Sequence, residues 1–559
     1  IVKPGGRLTI SGGTVTTKCG DYWGGIYVAG NSNQAQTLQH QGILEIYNGG
    51  EVSRARDAIT NIDIDPETGE WILGTTGGMI DCIGAVFRNN RRDIQLLRHK
   101  YSVENGLHYS AEIYNCQFLR DNNFGIETML PSITLWDVHG IDIEGSVFKN
   151  ENTSDFLYDG GGIYAINALF RVDEDMLGGC EFIGHGEAIH SENYALPLMA
   201  NAELEFRHNS FEDNLHAIYV SGANMLTVVE NDIEVPGQAM PSLPNPPNQS
   251  AHYGIYVDHC PTFDVRQNNL ITDGLSGGAT TVGIVINNAG GHNNNIYKNE
   301  IDGFTVGLEA IGDNRATGSG AADDGLFYRC NTLGSSPYWS SNFGNNEDVI
   351  VGNSGLPSQS SGIAKNHGFN PIKIAETLPN NVFMNSSQFY QFENTTHNTH
   401  NYYFEQDAPN VEPVNTRDVI KHRHTVQNFN WNNYCADLPE AEDFSIPGLT
   451  SSINTLKSDL ASDLALRNQM LNGGNTPQLE AEILFANDQQ EYQDLYVDLM
   501  NIAPYVEDQM LLDLIQISDY PELALRNIMV ANPHASRSPE IWDMLINRQP
   551  LLSQQTLDD

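Results

Sequence analysis

One bulky apolar residue recurs along the first two thirds of the chain at an interval near thirty residues. It occupies Phe87, Phe118, Phe148, Phe182, Phe211, Ile233, Leu270, Ile301 and Leu333, with gaps of 31, 30, 34, 29, 22, 37, 31 and 32 residues. Two positions earlier stand Ala85, Cys116, Ser146, Cys180, Asn209, Asn231, Asn268, Asn299 and Asn331. A unit this short cannot bury its apolar face alone, so the repetition predicts a solenoid of stacked copies.

A second repeated pair follows each polar turn and opens a short alternating run, such as "AIYVSG" or "GIYVDH". The pairs stand at 125–126, 188–189, 217–218, 254–255, 283–284 and 307–308. Alternation over four to six residues is typical of half-buried strands, and no helical periodicity accompanies it. The predicted fold class is therefore mainly β, a right-handed parallel β-helix of about fourteen coils, with equivalent residues about 4.8 Å apart.

The regular coils are predicted over 1–335, and 336–440 reads as less regular terminal coils with long loops. From 441 to 559 apolar residues take helical spacing, as in "SSINTLKSDLASDLALRNQMLN" (451–472) and "TPQLEAEILFAN" (476–487). We predict a small helical-hairpin region there, with two interpretations: a cap that covers a solenoid end, or a module that binds a partner.

The asparagine column is predicted to form a structural ladder, because stacked amides hydrogen-bond from coil to coil. A sugar-binding role for the same asparagines is the alternative. In the repeat "HNSFEDNLHAIYV" (208–220), the turn residues Glu212, Asp213, Asn214 and His216 vary from coil to coil. They are therefore the residues we expect to be available for a function.

The chain carries 28 basic and 71 acidic residues, a net charge of −43. Such a surface repels nucleic acid and anionic membranes, so we expect neither of these as a partner. It also disfavours polyanionic substrates. No run of eighteen apolar residues occurs, so no membrane span is expected in this chain. The start at "IVKPGGRLTI" suggests a mature or excised part of a longer protein.

Seven cysteines stand at 19, 82, 116, 180, 260, 330 and 435, without a CxxC pair. Cys116 and Cys180 share one column with Ser146 between them, which places them two coils apart and beyond disulfide reach. Most of the cysteines are expected to be buried packing residues. For Cys330 and Cys435 a disulfide and two separate thiols both remain open.

Parallel β-helices of the pectin lyase-like type often carry polysaccharide lyases and hydrolases. Gly184-His185-Gly186 matches the tripeptide of polygalacturonases, but one coil earlier only Asp159 stands where paired acids are needed. Arg91 and Arg92 suit a lyase subsite for an acidic sugar, or an exposed turn in which they pair with carboxylates. We assign no catalytic and no cofactor-binding residue.

Two segments carry possible metal ligands. Asp63, Asp65, Glu67 and Glu70 crowd one turn, which predicts either a weak calcium site or a solvated acidic turn. His397, His400, His422 and His424 lie in strand or loop sequence, where their spacing favours zinc only weakly. We expect no cofactor beyond weakly bound calcium, and no resident metal.

Both ends of the chain resemble one family. The opening segment carries V-x-P-G-x-x-L-x-I…W-x-G-I-x-V-x-G at Val2, Pro4, Gly5, Leu8, Ile10, Trp23, Gly25, Ile26, Val28 and Gly30. This pattern resembles right-handed parallel β-helix surface proteins of Bacteroidota, and "APYVEDQMLLD" with "ANPH" is similar to their helical segment. The resemblance implies a secreted or cell-surface, adhesin-like protein, commonly exported by the type IX route, and carries over no catalytic residue.

We therefore expect a non-enzymatic extracellular structural or adhesive module, part of a larger assembly. Its loops would contact sister subunits, other surface proteins or glycans. The alternatives are a carbohydrate-active enzyme and a calcium-dependent glycan-binding module. The enzyme would require carboxylates with Arg or Lys on adjacent coils of one face, which the aligned columns do not show.

Overall fold

A computed structural model provides the coordinates. It describes residues 1–18, 21–65, 67–125, 128–152, 159–176, 178–194, 203–237, 251–272, 280–289, 294–314, 325–334, 347–351, 366–367, 381–384, 390–395, 400–406, 408–424, 435, 476–532, 535, 538–553 and 556. The chain divides into two compact units, Ile1–Leu438 and Pro439–Asp559.

The first unit is a parallel β-helix, in which successive coils add one strand to each of three long sheets. The first sheet contains β1 Arg7–Ser11, β4 Ile43–Tyr47, β9 Met79–Ile83, β12 Ala111–Tyr114, β15 His139–Glu144, β18 Leu169–Asp173, β21 Glu203–Arg207, β24 Met225–Val229, β27 Phe263–Arg266, β30 Asn295–Tyr297 and β33 Phe327–Arg329. The second contains β2 Thr14–Val15, β5 Glu51–Ser53, β10 Val86–Arg88, β13 Gln117–Arg120, β16 Val147–Asn150, β19 Glu181–Ile183, β22 Ser210–Glu212, β25 Asp232–Val235, β28 Asn269–Thr272, β31 Glu300–Asp302, β34 Thr332–Leu333 and β37 Val382–Phe383.

The third sheet is the longest, with thirteen strands. It contains β3 Ile26–Tyr27, β6 Asp57–Thr60, β11 Arg92–Leu97, β14 Ile133–Trp136, β17 Gly161–Ile166, β20 Glu187–Glu192, β23 His216–Ser221, β26 Ala251–Asp258, β29 Thr280–Asn287, β32 Val306–Ile311, β35 Glu347–Val351, β38 Phe392–Asn394 and β40 Thr416–Arg417. The described residues of this unit also form a parallel sheet of β36 Asn366–His367, β39 His400–Glu405 and β41 Val419–His424, an antiparallel pair β7 Asp63–Ile64 and β8 Trp71–Ile72, and a short helix, α1 Lys100–Glu104. The predicted fold class is confirmed.

The column of bulky residues forms the inner face of the second sheet. Each member pairs in register with the next, from Phe87 on β10 to Leu333 on β34. The five phenylalanines stack with ring centroids 5.0, 4.5, 4.6 and 5.0 Å apart. This spacing is that of neighbouring strands, so packing and backbone pairing reinforce each other.

The second column lies on the inner face of the third sheet. Ile189, Ile218, Ile255, Ile284 and Leu308 pair in register there. The pair at 125–126 was wrongly included, because Ile133 on β14 occupies that place and pairs with Ile163. Residues 121–132 separate β13 from β14, whereas only residues 184–186 separate β19 from β20, so β14 starts farther along the chain than the repeated pair suggests. Residues 126–127 lie outside the described ranges.

The asparagine ladder is confirmed, and it extends one coil further than predicted. Each asparagine donates, from its backbone nitrogen and from Nδ2, to Oδ1 of the next asparagine in the column, over Asn209, Asn231, Asn268, Asn299, Asn331 and Asn381. Each Nδ2 also donates to a backbone carbonyl, such as Val228 from Asn268 at 2.9 Å. All six are at most 1% exposed, so they hold the turn and present nothing to a sugar.

The described cysteines divide into two kinds. Cys82, Cys116, Cys180 and Cys260 are buried thiols, as predicted, and burial raises the pKa of Cys116 to about 12. Cys330 and Cys435 form a disulfide across a sequence separation of 105 residues. Cys19 lies outside the described ranges.

The second unit is described from Thr476 onwards and is helical. Its helices are α2 Thr476–Phe485, α3 Gln489–Ile502, α4 Asp508–Gln516, α5 Glu522–Ala531 and α6 Pro539–Asn547. Their apolar faces form one core that includes Leu495, Leu499, Leu511 and Leu525. The predicted helix over 451–472 lies outside the described ranges. Every helix in those ranges is too short or too polar to cross a bilayer.

Candidate functional site

The outer face of the third sheet carries aromatic and acidic side chains from four consecutive coils. Because side chains alternate along a strand, the residue after each buried isoleucine points outward. These outward residues and their neighbours, hereafter the third-sheet surface, are Tyr164, Glu187, His190, Glu192, His216, Tyr219, Tyr253, Tyr256 and Asp258.

Four rings of this surface form a column in register. Tyr164, His190, Tyr219 and Tyr256 pair across β17, β20, β23 and β26. Their centroids are 5.0, 4.5 and 5.4 Å apart. Since the ring faces are taken up by the neighbouring rings, the column presents hydroxyl groups and ring edges outward.

His190 sits between two tyrosines and two carboxylates. Its Nε2 lies 2.9 Å from Oε1 of Glu192, while Nδ1 lies 2.9 Å from Oε2 of Glu187 as an ion pair without hydrogen-bond alignment. Burial lowers the pKa of His190, but the two carboxylates outweigh burial, and the pKa is raised. Tyr164 and Tyr219 flank the His190 ring with their π-faces, an arrangement that also favours its protonated form.

Glu187 is the carboxylate shared by two histidines. Its Oε1 lies 3.7 Å from Nδ1 of His216, whose ring stacks on Tyr253 with centroids 4.1 Å apart. Burial opposes ionisation of Glu187, yet His190 and His216 outweigh burial and lower the pKa of the carboxyl. Glu187 therefore stays ionised and acts as a hydrogen-bond acceptor at neutral pH.

The tyrosines of the column keep their protons. Burial, followed by the charge of Asp258, raises the pKa of Tyr219 and of Tyr256 to about 12. Each hydroxyl is therefore a neutral donor and acceptor. Asp258 in turn accepts hydrogen bonds from Ser221 and Asn287, both at 2.9 Å. The surface thus repeats aromatic rings at about the 4.8 Å spacing of the strands, with carboxylates beside them on β20 and β26.

A sequence signal for this surface exists, and our reading of the columns overlooked it. The second column continues as "GIY" at 162–164, "AIH" at 188–190, "AIY" at 217–219 and "GIY" at 254–256. The residue after isoleucine is aromatic in all four. Reading one position beyond the buried column would have identified the rings.

The outer face of the first sheet carries the cluster that the aligned columns did not show. Arg171 on β18 lies 3.2 Å from Asp142 and 2.6 Å from Glu144, both on the preceding strand of that sheet. Carboxylates and arginines thus do occur on adjacent coils of one face. Because the guanidinium is occupied by these carboxylates, the cluster is an ion network that stabilises the sheet.

Four carboxylates continue this network in one register column, on β4, β9, β12 and β15. They are Glu45, Asp81, Glu112 and Asp142. Burial, then repulsion from Glu112 and Glu45, raises the pKa of Asp81 to about 6. Among the described residues, no three histidine, cysteine or carboxylate side chains converge as metal ligands.

The polygalacturonase-like tripeptide is structural. His185 is fully buried, its Nε2 lies 3.2 Å from the Phe148 carbonyl, and burial lowers its pKa to about 3. Asp159 lies just before β17, the third-sheet strand of the preceding coil, and burial raises the pKa of its carboxyl. The accessible residues of "GHGEAIH" are Glu187 and His190, not the tripeptide that matched.

Arg91 and Arg92 both bind Asp57. The distances are 2.8 Å from Arg91 and 3.4 Å from Arg92 to the two carboxylate oxygens. The prediction that these arginines pair with a carboxylate is therefore confirmed. The prediction that they lie in an exposed turn is wrong for Arg92, which is the first residue of strand β11. Neither guanidinium is left to face an acidic sugar.

The acidic turn does not gather its carboxylates. Asp63 is buried and pairs with Lys3. Asp65 accepts backbone hydrogen bonds from Glu67 and Thr68 at 2.8 and 3.3 Å, while Glu67 and Glu70 are exposed. This geometry fits a solvated acidic turn better than a calcium site. Asp63 is the exception, because it is buried rather than solvated.

The histidines proposed for zinc lie apart. His400 is buried in β39, whereas His422 on β41 stacks against Tyr403 with centroids 4.5 Å apart, and its Nε2 lies 3.0 Å from Asn401. Tyr403 on β39 is the register partner of His422, so these two side chains share one face of the sheet. His400 lies three residues before Tyr403 on the same strand and therefore points to the opposite face. His397 lies outside the described ranges, as does the side chain of His424.

The turn residues expected to be available for function are not all available. Asn214 is fully buried and bridges Phe182 and His185. His216 opens strand β23 and belongs to the third-sheet surface. The candidate site therefore lies on strands in the repeated register, and not in the variable turns.

The chain was compared with protein-family descriptions, with curated proteins and with solved structures, and no match was found.

Proposed function

We propose that this protein is a non-enzymatic structural module of an extracellular or cell-surface assembly, and that it binds glycan along the third-sheet surface. The observation that carries the proposal is the aromatic column, which offers one ring per coil with carboxylates beside it. A polymer with a regular repeat can meet such a surface unit by unit. A polysaccharide supplies hydroxyl groups that match tyrosine hydroxyls and carboxylates as donors and acceptors.

The charge of the surface selects among glycans. Glu187, Glu192 and Asp258 repel uronic acids and sulfated sugars, whereas neutral or amino-bearing sugars meet no such repulsion. The ligand we favour is therefore a neutral or amino-bearing polysaccharide.

Binding is favoured over catalysis at this surface. A general acid must carry a transferable proton, and the lowered pKa of Glu187 leaves it ionised. His190 carries a proton, but both ring nitrogens face carboxylates at 2.9 Å. A carbohydrate-active enzyme is the second candidate, supported by the two glutamates that flank His190 on one strand.

Two observations favour an extracellular setting. The Cys330–Cys435 disulfide suits an oxidising compartment. The resemblance of both chain ends to Bacteroidota β-helix surface proteins agrees with it and extends the proposal to an adhesin-like cargo of type IX secretion. Sister subunits or other surface proteins are the further partners proposed. Immunodetection on intact, unpermeabilised cells tests the location, and a purely internal signal would contradict it.

Affinity electrophoresis in neutral, amino-bearing and uronate polysaccharides tests the binding proposal. We expect retention by a neutral or amino-bearing polymer, and about tenfold weaker binding for the double variant Tyr219→Phe and Tyr256→Phe, since each loses a hydrogen-bonding hydroxyl. Tyr114→Phe, on the outer face of the first sheet, is the matched control.

Four results would contradict or redirect the proposal. Retention by no neutral or amino-bearing polymer, or equal retention by the double variant, would reject the third-sheet surface as the site. Reproducible release of oligosaccharides would favour the enzyme. Loss of retention in a chelator would favour the calcium-dependent glycan-binding module.

A further inference from the structure

The helical unit contains a groove between its first two described helices. One face of α2 and one face of α3 line it, each contributing residues at the i, i+3, i+4 and i+7 spacing that places side chains on one side of a helix. The residues that matter are Ala481, Glu482 and Phe485 of α2 and Asp494, Leu495 and Asp498 of α3. The cavity between them measures about 430 Å³, within the range of ligand pockets.

The floor of this α2–α3 groove is apolar and open to solvent. Leu495 belongs to the helical core, while Phe485 beside it is 68% exposed. A phenylalanine left mostly in water at the edge of a cavity is apolar area that a partner can bury.

The rim of the groove is acidic on both sides. Glu482 stands on α2, and Glu491, Asp494 and Asp498 stand on α3. Within the described part of the chain, none of the four forms an ion pair with a lysine, arginine or histidine. Glu482 and Asp494 accept hydrogen bonds only from neutral glutamines, Gln478 and Gln490. No described cation therefore offsets the negative charge of the rim.

This combination specifies the chemistry of an occupant. An anionic or purely apolar ligand would meet four carboxylates without compensation, which is costly in a partly desolvated groove. A chain that alternates apolar and basic side chains at helical spacing would bury its apolar face on Phe485 and Ala481 and place its cations at the rim. We propose that the α2–α3 groove docks a basic amphipathic helix from a partner protein.

The test uses the full chain and a fluorescent peptide with leucines and lysines at helical spacing, followed by anisotropy. We expect saturable binding that weakens with salt, because the rim contributes electrostatic attraction. Phe485→Ser and Glu482→Lys are each expected to weaken binding about tenfold. The peptide with glutamate in place of lysine should not bind.

Matched controls lie on the same helix. Leu484 is 73% exposed and does not line the groove, and Glu480 is exposed on another face. Leu484→Ser and Glu480→Lys should therefore leave the affinity unchanged. No saturable binding by the intact chain, or equal losses in the controls, would overturn the proposal. Saturable binding of a synthetic peptide of residues 451–472 would also overturn it, by assigning the groove to this chain itself.

Discussion

Asn268 illustrates how one residue holds two coils together. Its Oδ1 accepts two hydrogen bonds from Asn231, and its Nδ2 donates to Val228 and Asn299. All these groups are buried, so a missing partner costs the desolvation of whatever remains. In the ladder, each asparagine therefore accepts the hydrogen bonds that the asparagine before it donates.

Replacing Asn268 by alanine should destabilise the β-helix by about 2–4 kcal/mol, because the Asn231 backbone amide and the Val228 carbonyl lose their buried partners. The urea midpoint of unfolding measures the change. Asn269→Ala is the control, since Asn269 is exposed and bonds only to Asp232 across the sheet. Equal shifts of the two midpoints would show that the ladder contributes no specific stability.

His208 predicts a pH dependence. The pKa of the His208 ring is raised to about 9. The hydrogen bond to Asp173 makes the largest contribution, burial lowers the pKa, and the charge of Glu174 and the hydrogen bond to Glu230 raise it further. A raised folded pKa means that the stabilisation is complete below the unfolded value near 6.5 and is lost as pH rises through about 9.

The expected result is an NMR titration of the His208 ring with a midpoint near 9, shifted downward by Asp173→Asn. The stability difference between the native chain and His208→Gln should shrink between pH 7 and 10 for the same reason. A difference that stays constant over that interval would rule out the charged pair.

At the scale of elements, the two inner columns were predictable because burial constrains them. A residue inside a coil must match its neighbours above and below, so Phe87 to Leu333 repeat visibly in the sequence. The position of Ile133 was not predictable from spacing, since the length of the turn before each third-sheet strand varies and changes the offset without changing the stacked geometry.

Outer faces were harder to predict for a physical reason. Solvent accepts almost any polar side chain, so the network around Arg171 has no repeating letter, and its partners are known only once β15 and β18 are in register. The rings after each isoleucine do repeat, and that part of the candidate site could have been predicted from the sequence.

Helix α3 was not predicted as a separate element, although its sequence carries a capping signal. The Asp488 side chain caps the helix by accepting hydrogen bonds from the backbone nitrogens of Gln490 and Glu491.

Arg548 is the polar centre of the helical unit. It donates to the carbonyls of Ile515, Ile517 and Tyr520 at 2.8–3.1 Å, which closes the C-terminal end of α4. Arg548→Met keeps much of the volume but leaves buried carbonyls without donors, so we expect a loss of about 3 kcal/mol.

Hydrogen exchange of the full chain locates the effect of Arg548→Met. Amides of α4 and α6 should lose protection while the β-helix amides keep theirs. Asn547→Ala, whose side chain is exposed and bonds to Asp543 within α6, is the control. Unchanged exchange in α4 would exclude this role for Arg548.

At the scale of the whole molecule, the Cys330–Cys435 bond closes a loop with a sequence separation of 105 residues. Chain entropy predicts that removing a bond of this span costs about 4–5 kcal/mol. The double variant Cys330→Ser and Cys435→Ser should therefore melt earlier, with the strands from β34 to β41 losing exchange protection first. Adding reductant to this variant must have no further effect, and an unchanged melting temperature would contradict the prediction.

The same bond also decides how tension travels along the chain. A pull transmitted through the backbone that follows Cys435 passes through the sulfur atoms to Cys330 and bypasses the residues between them. Strands β34 to β41 are thereby removed from the load path, and the force enters the solenoid next to the ladder residue Asn331. Tension applied at that point therefore leaves the least regular coils of the β-helix unloaded.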